Sequence, residues 1–193
     1  GSSEGNLGFV NMFNFDNTVG FSPSCYAVVK YDLESGKPLR NTKGFMEKTK
    51  IGEPGLLLSE ISKIAPFDGY TDPAKTEAKI LRDVFKKGDA WFNTGDLMKT
   101  VDVGFAIGLP HYQFVDRVGD TFRWKSENVS TNEVGEIINQ HPQIAFCNVY
   151  GVEIPRADGR AGMAALSLAE GVQQLDLDSF SAHVCSQLPA YAR

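Results

Sequence analysis

Short apolar runs separated by turn formers fill the chain up to about Phe114, and a different period takes over beyond it. Phe9–Phe13, Tyr26–Tyr31 and Leu56–Ile61 have strand length and strand composition. Glu34-Ser35-Gly36-Lys37 predicts a hairpin between Tyr26–Tyr31 and the segment after Leu39, and Gly52-Glu53-Pro54-Gly55 predicts a turn into the Leu56–Leu58 strand. Ala74, Ala78, Leu81 and Phe85 recur at three- and four-residue spacing. With Thr71 or Asp72 as cap, Pro73 at the first position and Gly88 as stop, that stripe predicts a helix over Pro73–Lys87. Trp91-Phe92 and Gly104–Ile107 flank a predicted turn at Asp102-Val103-Gly104.

From Arg117 onward strands and helices alternate. Ser130-Thr131-Asn132-Glu133 is a capping box ahead of Val134, Ile137 and Ile138, so a helix is expected to run to His141 and stop before Pro142. Strands are predicted at Ile144–Val152 and Gly162–Ala169, with a turn at Asp158-Gly159. Asp176 caps a last helix that carries Leu177, Phe180, Val184 and Leu188 on one face and ends at Pro189. This alternation predicts a small α+β unit, bounded near Arg117–Asp120.

Composition narrows the classes. A chain of 193 residues, 42% hydrophobic, can bury a sizeable core as one domain or as a medium and a small one. The net charge of -5 and scattered lysines and arginines argue against a nucleic-acid surface, and Lys86-Lys87 reads as a helix end. Three widely spaced cysteines, Cys25, Cys147 and Cys185, suit a reducing compartment without a disulfide framework, and the apolar surroundings of the last two predict burial. No apolar run reaches the roughly 18 residues of a membrane span, and no secretory leader is visible, so a cytoplasmic location is expected.

Three segments could carry chemistry. Asn93-Thr94-Gly95-Asp96 predicts a glycine turn that presents a carboxylate after an aromatic strand, either as an ordinary turn residue or as an acceptor for both hydroxyls of a ribose. Arg117 stands between Asp116 and Asp120, either as a surface ion pair or as a planar donor fork for ribose and phosphate oxygens. Gly119 offers backbone freedom at the predicted domain edge. Phe122-Arg123-Trp124-Lys125 alternates aromatic and basic residues, and its faces either pack on the domain or stack on a ligand.

In order along the chain, these segments resemble the ribose-binding and hinge motifs of AMP-forming acyl-CoA synthetases. The wording Phe114-Val115-Asp116-Arg117-Val118-Gly119-Asp120-Thr121-Phe122-Arg123-Trp124-Lys125-Ser126-Glu127-Asn128, with Phe67-Asp68-Gly69-Tyr70 and Val84-Phe85-Lys86-Lys87-Gly88-Asp89, is similar to the fatty acid transport protein branch. Ser2-Ser3-Glu4-Gly5-Asn6 resembles the end of the family's aromatic-Gly-x-Thr-Glu motif. Gly52–Leu56, Gly159–Ala164 and Leu188–Arg193 resemble later segments, so the likeness covers essentially the whole chain.

The resemblance implies a mixed α/β and α+β fold. Residues 1–117 would be the β-rich end of the large adenylation domain, and 118–193 a small, mobile α+β C-terminal domain. It implies an ATP-dependent fatty acid–CoA ligase, which forms an acyl-adenylate and then a thioester with CoA. Ser3, Asp96 and Arg117 would contact ATP or AMP, Glu4 would help to hold Mg2+, Gly119 would be the hinge, and Lys125 and Ser126 would face CoA. Partners would be fatty acid, ATP, CoA and the preceding part of the same enzyme. The family allows peripheral attachment at the inner face of a membrane.

Three departures bear on this. Ser126 stands where glycine is usual near the pantetheine, Arg123 where many relatives have lysine, and Gly119 where many have Asp or Lys. The phosphate-cradling Ser/Thr/Gly-rich loop does not occur, and the last lysine is Lys125, so no residue of this chain matches the catalytic lysine. The alternatives are a nucleotide-binding or interaction module without catalysis, and a ligase for bile or aromatic acids.

Overall fold

The computed structural model describes residues 7–104, 108–125, 127–157 and 159–193. Two units result, one up to Val118 and a second from Gly119 to Arg193. The first is organised by a long strand, β6 (Ala90–Val101), in a five-stranded antiparallel sheet. One edge of β6 pairs with β4 (Gly55–Glu60), which pairs in turn with β1 (Tyr26–Val29). The other edge is shared, with β5 (Ile80–Arg82) opposite 90–92 and β7 (His111–Arg117) opposite 96–101. Leu56 and Leu58 face a core with Val29, Met46 and Val84, while Leu57 faces Leu7, Val28 and Met98. A strand covered on both faces reads as the unbroken Leu56-Leu57-Leu58 run rather than as an alternation.

The sequence reading needs correction at four places in this unit. The helix α1 is Pro73–Ala78, capped by Asp72, and it stops well short of Lys87. At Lys79 the carbonyl already accepts the Asn93 N–H at 2.8 Å, which draws the chain into the β5 ladder, and Asp83 then takes a left-handed φ of 52°. Leu81 and Phe85 bury their side chains equally well from a strand and a turn, so their spacing did not separate the two. Lys86-Lys87 therefore lies in a turn whose three N–H groups, those of Val84, Phe85 and Lys86, donate to the Asp89 carboxylate. Phe9–Phe13 forms no strand beyond the bridge of Val10 to Phe21, because Asn11 holds a loop through Phe15 and both Asn14 and Asn17 are left-handed. The hairpin around Glu34–Lys37 is only β2 (Tyr31–Asp32) with β3 (Lys37–Pro38), since Tyr26–Val29 pairs with β4 instead. The predicted turn at Asp102–Gly104 borders residues 105–107, which lie outside the described residues.

In the second unit β8 (Phe122–Trp124) and β9 (Glu127–Val129) form a short ribbon, followed by α2 (Thr131–Asn139), β10 (Ile144–Glu153), β11 (Arg160–Leu168) and α3 (Leu177–Gln187). The caps act as read: Ser130 accepts from the Glu133 N–H, and Asp176 from Asp178 and Ser179. β10 and β11 pair antiparallel, Cys147 opposite Leu166 and Gly151 opposite Gly162. Phe122 fills the space over those two glycines. A Cβ on Gly151 would stand 2.6 Å from its Cγ, so only glycine permits this approach. Phe180 and Val184 pack on this core with Leu188 buried beside them. Two expectations fail here: Leu177 is 70% exposed at the start of α3, and Cys185, one residue round from Val184, is exposed while Cys147 is buried.

Candidate functional site

Asn93-Thr94-Gly95-Asp96 does not reverse the chain. It is a bulge inside β6: Leu58 pairs with Asn93 and Leu56 with Leu97, so Thr94, Gly95 and Asp96 all stand opposite Leu57. The extra residues bend the strand and re-aim side chains. Each residue of the motif has a local task. The Asn93 side chain accepts from the Gly95 N–H at 3.0 Å, and the Thr94 hydroxyl donates to the Leu57 carbonyl at 2.9 Å while accepting from the Asp96 N–H at 3.0 Å. Gly95 supplies the φ of 80°. A turn and a bulge ask for the same residues, which is why the sequence suggested the wrong one of the two.

β7 brings Arg117 to this bend. Asp96 and Arg117 are direct partners in the β6–β7 register, and the Arg117 Nε lies 3.4 Å from the Asp96 Oδ1. A second irregularity, with Leu97 opposite Asp116 but Met98 opposite Phe114, tilts the end of β7. The Asp116 side chain is buried and accepts the Arg117 N–H at 2.9 Å, and the Val118 N–H donates to the Gly95 carbonyl at 2.9 Å. The Arg117 side chain is 71% exposed and that of Asp96 27%. An ion pair so open to water contributes less than about 1 kcal/mol to folding. The pair thus presents, at small cost to the fold, a carboxylate acceptor and a planar donor fork on one bend of the sheet.

Gly119 follows in a turn, with φ outside the left-handed region and, among the described residues beyond its chain neighbours, no atom within 4 Å of where a Cβ would stand. Lys125 has a left-handed φ of 46°, and its ammonium lies 5.1 Å over the Trp124 ring. Ser3, Glu4 and Ser126 lie outside the described residues. The sequence marked Asp116 only as an acid beside Arg117, and it did not indicate Lys79, whose Nζ would stand 3.4 Å from a Cβ on Gly95; a fold-distant lysine gives no local signal. Nor did it indicate an apolar cavity of about 320 Å³ in the second unit, lined by Phe122, Trp124, Val134, Phe180, Val184 and Tyr191 among others.

Upstream of the bend, the turn that launches β6 depends on Asp89. Its carboxylate accepts from Val84, Phe85 and Lys86 and from the Trp91 indole at 3.0 Å. Burial pushes its pKa up, but the hydrogen bonds together outweigh burial and hold it below the usual carboxylate range. Among the described residues no helix is long and apolar enough to cross a membrane, and no cluster of three His, Cys, Asp or Glu could hold a metal ion.

No family model matches the chain. Over 191 residues, 99% of the chain, it is 48% identical to the medium/long-chain-fatty-acid–CoA ligase FadD6 of Mycobacterium tuberculosis, and it covers 31% of that protein. It is 42% identical over its full length to the human long-chain fatty acid transport protein 3, covering 28% of it. The chain therefore spans about a third or less of these relatives. Its fold matches ATP-bound MatB from Rhodopseudomonas palustris with a TM-score of 0.69 and 23% identity, over 99% of the chain and 34% of MatB. It also matches o-succinylbenzoate CoA synthetase from Bacillus subtilis, solved with its acyl-adenylate, with a TM-score of 0.67 and 19% identity, over 92% of the chain and 30% of that enzyme. The mixed, strand-rich α/β architecture is that of about a third of each of these two enzymes.

Proposed function

We propose that this chain, homologous along its whole length to part of the fatty-acid–CoA ligases and long-chain fatty acid transport proteins, is the nucleotide-handling and hinge portion of an ATP-dependent fatty acid–CoA ligase. The observation that carries the reading is the meeting of Asp96 and Arg117, partners across two strands with Nε 3.4 Å from Oδ1. A carboxylate accepts from both vicinal hydroxyls of a ribose, and a guanidinium donates to ribose or phosphate oxygens in a fixed plane. The bulge at Gly95 and the Asp116 bond to the Arg117 backbone orient the two groups before any ligand arrives.

In this reading Asp96 and Arg117 hold the ribose of ATP and of the acyl-adenylate, with Ser3 beside AMP. Glu4 would contribute to magnesium, which supplies charge neutralisation on the phosphates when bound. Residues 1–117 belong to the large domain and 118–193 to the mobile one, and Gly119 is the pivot between the two half-reactions. Gly119 lies in the turn after β7, and glycine there tolerates a wide range of φ and ψ, which supports the pivot. Lys125 and Ser126 would then meet CoA. The left-handed Lys125 already departs from the β8–β9 ladder at that point.

The reading is tested by calorimetry of the chain with AMP. Asp96→Ala removes charge-assisted hydrogen bonds of about 1.5–3 kcal/mol, so affinity is expected to fall about tenfold or more. AMP binding indifferent to Asp96→Ala and Arg117→Ala overturns it. With no phosphate loop and no lysine after Lys125, the chain alone is expected to make no oleoyl-CoA from oleate, ATP and CoA.

A further inference from the structure

We infer that Lys79 is the phosphate-side contact of this site, making it selective for a nucleoside 5′-monophosphate group over the bare nucleoside. The inference rests on the nucleotide reading of Asp96 and Arg117 and adds to it a third residue and a ligand preference.

Lys79 is held by its backbone. It is the C-cap of α1, with its N–H donating to Thr76 at 3.1 Å and its carbonyl accepting the Asn93 N–H at 2.8 Å. The second of these bonds ties it to the residue that begins the bulge. From that anchor the side chain lays its ammonium against Gly95, 3.4 Å from where a Cβ would be. Gly95 is required by its left-handed φ, and the Lys79 ammonium lies in contact range beside it. The next residue is Asp96.

Among the described residues, the ion pairs of acids and bases do not include Lys79, and Asp96 is paired with Arg117. Lys79 is partly withdrawn from solvent. An ammonium that makes no ion pair among the described residues gains free energy when an anion arrives beside it. The ligand chemistry supplies that anion. A carboxylate suits hydroxyls but repels phosphate, so a second cation beside Asp96, in addition to Arg117, favours a ligand that carries both groups. A lysine acts there as a point charge that tolerates variable phosphate orientation.

The test compares AMP and adenosine by calorimetry on the chain, at low and physiological salt, with Asp96→Ala, Lys79→Gln and Lys79→Arg. Asp96→Ala is expected to weaken both ligands alike. Lys79→Gln is expected to weaken AMP about five- to tenfold while leaving adenosine unchanged, and to flatten the salt dependence of AMP binding. Lys79→Arg, which keeps the charge, is expected to restore most of the loss and guards against a folding defect in the glutamine variant. An AMP-to-adenosine preference that is the same with and without the Lys79 charge overturns the inference while leaving the Asp96 reading intact. A chain that binds neither ligand refutes that reading, and the inference falls with it.

Discussion

Asp89→Asn tests whether β6, and with it the bend that carries Asp96, is launched from a charged anchor. One carboxylate oxygen accepts from Val84 and the other from Phe85, Lys86 and the Trp91 indole. An asparagine spares at most the three bonds to one oxygen, and its NH2 then points at the Val84 N–H. Each spared bond falls from the charged to the neutral range, a loss of roughly 0.5–1 kcal/mol, and the orphaned buried donor costs about 1–3 kcal/mol. The sum is roughly 2.5–6 kcal/mol, a large part of the stability of a unit this size. Urea unfolding in a Trp124→Phe background isolates the fluorescence of Trp91, which lies in the first unit.

The pH dependence gives the same reasoning a second edge. The folded carboxyl is held below its unfolded value, so its stabilisation is fully present above about pH 4 and is lost as pH falls through the folded value. Asparagine does not titrate. The gap between wild type and variant should therefore be constant from pH 7 to about pH 5 and shrink below about pH 4. A gap under about 1 kcal/mol at pH 7, or one that is equally large at pH 3, refutes the argument.

Gly151→Ala should destabilise the second unit by about 1–3 kcal/mol, because the new Cβ meets Phe122 at 2.6 Å, whereas Gly119→Ala, with nothing within 4 Å, should change stability by less than about 0.5 kcal/mol. Trp124 fluorescence during denaturation compares the two. Thiol labelling of the native chain at neutral pH should modify Cys25 and Cys185, both exposed, and spare Cys147 until urea unfolds the second unit. Burial pushes the Cys147 thiol pKa up and lowers its thiolate fraction, and mass spectrometry of labelled peptides reads the outcome.

The second unit was largely legible because its signals are local and redundant. Ser130 and Asp176 cap in the sequence as they cap in the fold, and Pro142 and Pro189 bar continuation. The first unit was less so where one residue pattern suits two structures. Leu81 and Phe85 satisfy a helical stripe, but the ladder to β6 claims Leu81 and the Asp89 turn claims Phe85, and the left-handed Gly95 serves a bulge as readily as a turn. Asp96 and Arg117 could be named from their motifs, yet their proximity depends on strand register, which only the pairing of β6 with β7 decides. Lys79 depends instead on the approach of β5 to β6, where its carbonyl accepts the Asn93 N–H, and no short-range pattern marks it. Cys185 was misjudged because an apolar neighbourhood in sequence is not one in space when a helix turns 100° per residue.

Because Asp96 and Arg117 face each other rung to rung, their spacing is inherited from the backbone ladder and not from the length of chain that joins them. Lengthening or shortening the connection between Val101 and His111 should leave the two groups where they are. A single residue inserted within 97–101 or 111–116 instead rotates one strand by half a period and sends one of them to the opposite side of the sheet. Natural or engineered variation in this region can therefore be sorted in advance into changes that the chemistry ignores and changes that abolish it.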